Sequence, residues 1–135
     1  MKATKIISWA LRTTIAIIFL QTLYFKFTAH PDSVHIFTEL GVEPYGRISV
    51  GIMELITSLL LLLKRTRLFG ILLSLGIICG AIFSHLLVIG TNVKGDSGTL
   101  FILALIIFTA SLLLLYIHKS EIITLFSKIT KKQSL

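Results

Sequence analysis

The sequence contains few charged residues, and this shortage limits the kind of protein it can be. Asp, Glu, Lys and Arg make up 14% of the 135 residues, whereas soluble domains contain about 25%. Hydrophobic residues, with Tyr, Trp and Cys counted among them, make up 55%. So few charges cannot cover the surface of a soluble domain. The bilayer must therefore be the solvent for most of the chain, whose length is sufficient for one domain.

Reactive motifs are also missing. Cys79 is the one cysteine, so the chain cannot form an internal disulfide and cannot carry out dithiol chemistry by itself. The sequence has no phosphate-binding loop, no His-Glu-x-x-His, no nucleophile elbow and no haem-binding cysteine pair. Catalytic residues therefore stay unknown, no cofactor ligand is expected within the chain, and a membrane subunit is favoured over a self-sufficient enzyme.

Four apolar stretches are long enough to cross a hydrocarbon core, which needs about 20 helical residues. They run approximately over Ile6–Phe27, Gly46–Leu63, Leu68–Gly90 and Gly98–Ile117. We therefore predict an all-α fold, an integral membrane bundle of four transmembrane helices formed by residues 1–118. Residues 119–135 carry apolar residues among lysines and are predicted to be a basic amphipathic cytoplasmic tail, with a disordered tail as the alternative.

The connection between the first two spans is predicted to contain a short amphipathic helix at the membrane surface. Asp32 or Ser33 can cap it, Gly41 ends it, and Pro44 is suited to open the second span. Its apolar face comprises Val34, Phe37 and Leu40. The connection between the last two spans is short and ends in residues suited to cap a helix, among them Asp96.

The basic residues are distributed unevenly, and this predicts the orientation. With the N-terminus inside, ten Lys and Arg residues lie on the cytoplasmic side: Lys2, Lys5, Arg12, Lys64, Arg65, Arg67, Lys119, Lys128, Lys131 and Lys132. The other side has three: Lys26, Arg47 and Lys94. The positive-inside rule therefore places both termini in the cytoplasm. Because the net charge of +7 resides between and beyond apolar runs, we expect contacts with lipid headgroups and not with nucleic acid.

Five polar residues lie within the outer half of the spans, where ionisable groups are costly and are candidates for function. At about 1.5 Å per residue, Glu54 lies about 12 Å, Gln21 about 9 Å and His85 about 7.5 Å below the outer ends of their spans. Lys26 and Arg47 lie at the outer ends of the first and second spans. Neighbouring helices run in opposite directions. If these five residues had unrelated roles, there would be no reason for all of them to lie in the same half of the membrane.

The helical spacing brings some of these residues onto one face. Glu54 shares a stripe with Arg47 on the second span, and small residues beside Glu54 and His85 allow close approach of helices. Gln21 is about 140° from Lys26 around the first helix. A cluster of Lys26, Glu54 and His85 could be a structural ion pair, a site that handles protons or a ligand, or part of an oligomer interface.

Two further patterns involve histidines and small residues. His30, Asp32 and His35 could bind a metal, but their spacing fits no standard site, so no metal is predicted. Gly76-x-x-x-Gly80-x-x-x-Ser84 forms a seam of small residues on a different face from His85. We expect this seam to pack against another helix of the same chain and not to drive dimerisation.

The order of these motifs resembles the DoxX family over nearly the whole chain. The first span ends in Tyr24-Phe25-Lys26, and a surface helix leads to Gly41-Val42-Glu43-Pro44. The second span carries Met53-Glu54-Leu55, and the third has Ala81 one turn before His85. Two departures are Leu23-Tyr24, where such proteins often have a glycine, and Thr57-Ser58, where they often have Gly-Gly.

The resemblance implies a four-helix protein of the bacterial cell (inner) membrane that is linked to quinone-dependent or other redox systems. It favours a subunit that binds a quinone or similar amphipathic ligand at Lys26, Glu54 and His85, while a soluble or membrane partner supplies electrons. A non-enzymatic scaffold or assembly factor for a partner protein is the alternative. A small proton-coupled exporter is the third hypothesis, although the first span has no acidic residue.

Overall fold

The computed structural model describes residues 2–134, and over that range it contains six α-helices. They are α1 (Lys2–Phe27), α2 (Pro31–Glu39), α3 (Tyr45–Leu62), α4 (Arg67–Ser84), α5 (Thr99–Ile117) and α6 (Lys119–Gln133). A turn of π-helix, His85–Ile89, continues α4. Four helices are long and apolar enough to cross a membrane, namely α1, α3, α4 with its π-turn, and α5.

The all-α prediction and the four predicted spans are confirmed, with helix bounds within four residues of those expected. The short helix between the first two spans is present as α2. The predicted tail forms α6, which begins directly after α5. Residues 119–134 of the tail are thus helical or turn.

The four long helices form a ring in which each packs against two neighbours. Helix α1 packs against α3 and α5, and α4 packs against the same two helices from the opposite side. Gly70 allows α4 to approach α3 closely, because a Cβ at this position would lie 2.7 Å from the backbone nitrogen of Leu61. We call the end of the ring that holds α2 the α2 end, and the opposite end the α6 end.

An apolar layer fills the ring toward the α6 end, where α3 and α5 end and α4 begins. Its centre consists of four residues with no exposed surface: Ile15, Leu61, Ile71 and Leu114. Beside them, the hydroxyl groups of Ser74 and Ser111 share a hydrogen bond of 3.0 Å. Because these hydroxyls have partners inside the protein, the layer contains little unpaired polarity.

Helix α2 begins two or three residues earlier than the sequence indicated. The predicted caps, Asp32 and Ser33, both lie inside the helix, and His30 is the N-cap, its Nδ1 accepting the Asp32 N–H at 3.3 Å. Pro31 accounts for the difference, because its fixed φ suits the first helical position. Phe37 and Ser33 are buried, so α2 packs on the α2 end of the ring.

Asp96 organises the loop that leads into α5, as its predicted capping role requires. Its Oδ1 accepts the N–H groups of Val93 (3.0 Å) and Gly98 (2.8 Å), and its Oδ2 accepts that of Leu100 at 3.1 Å. Burial would raise the pKa of this carboxyl, but these three donors and the charge of His85 together hold it below its ordinary value.

Replacing Asp96 by alanine is expected to lower the free energy of unfolding by about 1–2 kcal/mol, the usual cost of a lost cap. Asp96→Asn keeps one acceptor oxygen and should lose less. Because the folded-state pKa is depressed, this stabilisation is present above the unfolded pKa of about 3.9 and is lost as the pH falls through the folded value. Melting temperatures in detergent measure the effect, and an unchanged value for Asp96→Ala would show that the loop does not depend on the carboxylate.

Candidate functional site

A cavity of about 740 Å³ lies between the long helices at the α2 end, and α2 forms part of its wall. The polar lining residues lie toward α2 and include Thr22, Lys26, Ser33, Glu54, His85 and Asp96. The apolar ones extend toward the middle of the ring and include Ile18, Phe19, Ile78, Leu103, Ala104 and Ile107. The cavity therefore has a polar end and an apolar end, and the residues of its apolar end belong to the same buried cluster as the apolar layer.

The polar end contains a buried ion pair between two helices. Nζ of Lys26, from the last turn of α1, lies 3.0 Å from Oε2 of Glu54 in the middle of α3, and their side chains are only 13% and 8% exposed. Thr22 Oγ1 donates to the same oxygen at 3.1 Å. The prediction that Glu54 meets a basic side chain is confirmed. Within residues 2–134, no hydrogen bond occupies the other carboxylate oxygen, Oε1.

His85 enters the cavity from the point where α4 changes to π-helix. The Gly90 N–H donates to the His85 carbonyl at 2.8 Å, and the His85 ring Nδ1 contacts the Gly90 carbonyl at 2.9 Å. Since a carbonyl can only accept, Nδ1 carries the proton. Nε2 is then the ring atom with no partner among the described residues. Helix α4 thus delivers an oriented imidazole to the cavity, as π-turns often do at functional sites.

Two of the predicted site residues do not join this cavity. Gln21 is exposed and lies outside the lining. Arg47 is buried but turns away from Glu54: its Nε donates to both oxygens of Glu43, at 2.8 and 3.0 Å, and its Nη1 donates to the Lys26 carbonyl. Arg47 therefore connects the end of α1 with the beginning of α3 and holds Lys26 in place through its backbone.

The seam of small residues on α4 does not pack against another helix, which corrects the expectation from its spacing. A Cβ built on Gly76 or Gly80 would meet no atom within 4 Å outside its own helix turn. Both glycines line the cavity and both are exposed, so the seam borders its opening. The packing face of α4 instead carries Ile71, Ser74 and Ile78, which are buried.

One of the two histidines near α2, His30, has structural partners. His30 caps α2, and its Nδ1 lies 3.8 Å from Asp32 Oδ2. Asp32 also pairs with Lys94 across the two loops at 3.3 Å. Among residues 2–134, no group of three His, Cys, Asp or Glu side chains could hold a metal ion.

A second polar cluster lies at the α6 end, and the sequence interpretation missed it. Ser8 Oγ contacts His118 Nε2 at 2.7 Å, and His118 Nδ1 contacts Glu121 at 3.0 Å. Arg67 Nη2 donates to Glu121 at 2.9 Å. Arg12, one of the ten basic residues assigned to the cytoplasmic side, is buried here. The spacings of Ser8 with Arg12 and of His118 with Glu121, four and three residues, place each pair on one helix face and could have indicated it.

Comparisons of this chain with protein-family models, with curated proteins and with solved structures find no match. The class defined by the structure is a helical protein with four membrane-length helices and an internal cavity. The DoxX resemblance stays a prediction, and the geometry of the cavity carries the functional argument.

Proposed function

We propose that this protein is an integral membrane protein whose cavity at the α2 end binds a quinone or a similar amphipathic molecule. The observation that carries this proposal is the division of the cavity into a polar end, with Lys26, Glu54 and His85, and a long apolar end. A ligand with a polar head and an apolar chain matches both parts, because ligand sites are mostly apolar with a few convergent polar groups.

The polar groups supply complementary chemistry for a quinone headgroup. Lys26 Nζ can donate to a carbonyl oxygen, and the unpartnered His85 Nε2 can donate or accept according to its protonation. Glu54 Oε1 can accept from the hydroxyl of a reduced quinol. These residues would bind the head and hold or move protons, while the electrons come from a redox partner.

The exposed glycine seam supports entry from the lipid phase. Gly76 and Gly80 border the opening of the cavity along a helix that is long and apolar enough to cross a membrane. A ligand dissolved in the bilayer would therefore reach the polar end with its chain still among apolar groups.

The proposed class is a DoxX-like, redox-associated subunit of the bacterial inner membrane. The residues that carry the resemblance, Lys26, Glu54 and His85, all line one cavity, which favours a shared role. A scaffold would not require such a cavity. An exporter would need a polar path through the ring, and the apolar layer, with Ile15 and Leu114 fully buried, favours a site open on one side.

Ligand binding can be tested by thermal unfolding of the purified protein with decylubiquinone. A ligand present at 100 times its dissociation constant stabilises the native state by about 2.7 kcal/mol, which raises the melting temperature. Decylbenzene, which has the same chain on an apolar ring, is the control for partition into detergent. Equal stabilisation by both compounds would contradict a site that recognises the quinone head.

The proposed topology places the α2 end outside and the α6 end in the cytoplasm. In a Cys79→Ser background, Asn92→Cys should react with a membrane-impermeant maleimide in intact cells, and Ser120→Cys should react only after lysis. Both positions are exposed and lie at opposite ends of the ring. Labelling of Ser120→Cys in intact cells would reverse the orientation.

A further inference from the structure

A second cavity, of about 610 Å³, lies at the α6 end and is strongly basic. Its lining contains four Lys and Arg side chains, Lys5, Arg12, Lys64 and Arg67, together with His118. Glu121 is the one carboxylate in that lining. The positive charges come from α1, from the connection after α3, and from the beginning of α4. Helices from different parts of the chain thus bring like charges together, which is unfavourable unless an anion lies between them.

The carboxylate in this lining is already engaged. Glu121 contacts His118 at 3.0 Å and Arg67 at 2.9 Å. The hydrogen bond from His118 is the main cause that holds the pKa of Glu121 below its ordinary value, and Arg67 adds to it. Among residues 2–134, no ion pair joins Arg12 to an acidic side chain.

Arg12 is therefore a buried cation without a counter-ion in the described chain. It is 7% exposed, and its Nη1 donates to the Leu61 carbonyl at 2.7 Å. Its Nε has no hydrogen-bond partner within residues 2–134, and the same holds for the Nε of Arg67. A guanidinium stays charged at all relevant pH values, and an unpaired buried charge costs several kcal/mol. The unpaired Arg12 guanidinium and the unsatisfied Arg67 Nε on one cavity thus indicate that an anion completes the site.

We propose that this cavity binds the phosphate group of an anionic phospholipid. Guanidinium groups match phosphate oxygens with paired hydrogen bonds, so Arg12 and Arg67 suit this anion in particular. The lining also includes Trp9, which is 59% exposed, and the apolar Leu62 and Ile117, against which an acyl chain can lie. Tryptophan beside basic residues is typical of the level of lipid headgroups.

Helix α6 supports a lipid as the source of the phosphate. It contributes Glu121 to the cavity, and farther along it Ile123, Phe126 and Ile129 are exposed beside Lys128. An exposed apolar face next to lysines is characteristic of a helix that lies on an anionic membrane surface. The cavity thus opens where headgroups are available at high local concentration.

Trp9 permits a direct test, because it is the one tryptophan of the chain and lies in the lining. The protein is reconstituted into phosphatidylcholine vesicles in which either brominated phosphatidylglycerol or brominated phosphatidylcholine replaces part of the lipid. Bromine quenches nearby tryptophan fluorescence. The proposal requires phosphatidylglycerol to quench at a lower mole fraction, also at high salt, where general surface attraction is screened.

Substitutions of basic residues test which side chains bind the phosphate group of phosphatidylglycerol. Arg12→Gln and the exposed Lys5→Gln should each lower the relative affinity for phosphatidylglycerol about fivefold, the effect of one basic contact at a membrane surface. Lys128→Gln removes the same charge from α6 outside the cavity and should have little effect. If Arg12→Gln fails to fold, the comparison of Lys5→Gln with Lys128→Gln still tests the proposal. Both of these side chains are exposed, so neither substitution should disturb folding.

Two further outcomes are informative. If excess inorganic phosphate abolishes the preference for phosphatidylglycerol, the site binds phosphate as proposed but also accepts the free anion. If both brominated lipids quench equally, or if Lys5→Gln and Lys128→Gln behave alike, the cavity does not bind a headgroup and the proposal is wrong. Neither result depends on whether the cavity at the α2 end binds a quinone.

Discussion

The variant Glu54→Gln is expected to fold normally and to bind decylubiquinone about tenfold to a hundredfold more weakly. Glutamine keeps the shape of the side chain and can still accept from Thr22, which now donates to Glu54 at 3.1 Å. It removes the negative charge that orients Lys26 and the group that can accept a quinol proton. Loss of a hydrogen bond to a charged group accounts for the size of the effect. Thermal unfolding with and without the ligand measures stability and binding together.

The matched control is Glu39→Gln on α2, which makes the same change at an exposed carboxyl outside the cavity lining. If the Lys26–Glu54 pair serves only stability, Glu54→Gln leaves a buried cation and costs about 3–5 kcal/mol. Replacing Lys26 by methionine in the same chain would then restore the melting temperature. A destabilised Glu54→Gln that Lys26→Met rescues would contradict the proposed function and leave a structural ion pair.

The variant Gly80→Leu is expected to prevent ligand binding without destabilising the protein. A Cβ at Gly80 meets no neighbour within 4 Å, so leucine has room at the opening of the cavity. Leucine is also the better helix former, by about 0.5–1 kcal/mol, so the unliganded protein should unfold at the same or a higher temperature. The stabilisation by decylubiquinone should largely disappear, because the side chain occupies the space that an acyl chain needs.

Gly70→Ala provides the contrast on the same helix. Its Cβ would lie 2.7 Å from the backbone nitrogen of Leu61, so α3 and α4 must separate. Such overpacking costs about 1–3 kcal/mol, and we expect a lower melting temperature with ligand binding retained. Normal binding by Gly80→Leu would show that the seam does not border the route of the ligand.

Helix positions follow from the sequence because stretches of about twenty mostly apolar residues have few alternatives to a spanning helix. The ion pair could also be predicted, since a carboxylate and an ammonium at similar depth on neighbouring helices attract each other where water is scarce. The angular offset of Gln21 from Lys26, about 140°, explains why only one of the two reaches the cavity.

The environments of some residues could not be predicted, because they depend on which other helices pack against those residues. Gly76 and Gly80 are as small as residues at a helix contact, and only the packing of the other helices shows that the seam is open. Arg12 lies in the half of α1 nearer its N-terminus, from which a long side chain can extend to water. Its guanidinium instead donates to the carbonyl of Leu61 near the end of α3, which comes 49 residues later in the chain. The π-turn at His85 has no local signal in the sequence.

In the proposed membrane topology, the apolar layer also determines how permeable the membrane is at this protein. Arg12 and Lys26 are fourteen residues apart on α1, which corresponds to about 21 Å along the helix. The two polar regions therefore approach each other more closely than the faces of a hydrocarbon core about 30 Å thick. Where water fills both cavities, Ile15, Leu61, Ile71 and Leu114 form the insulation that keeps protons and ions from crossing. The four side chains that stabilise the fold thus also allow a polar site at each end of the ring without opening a path for ions between them.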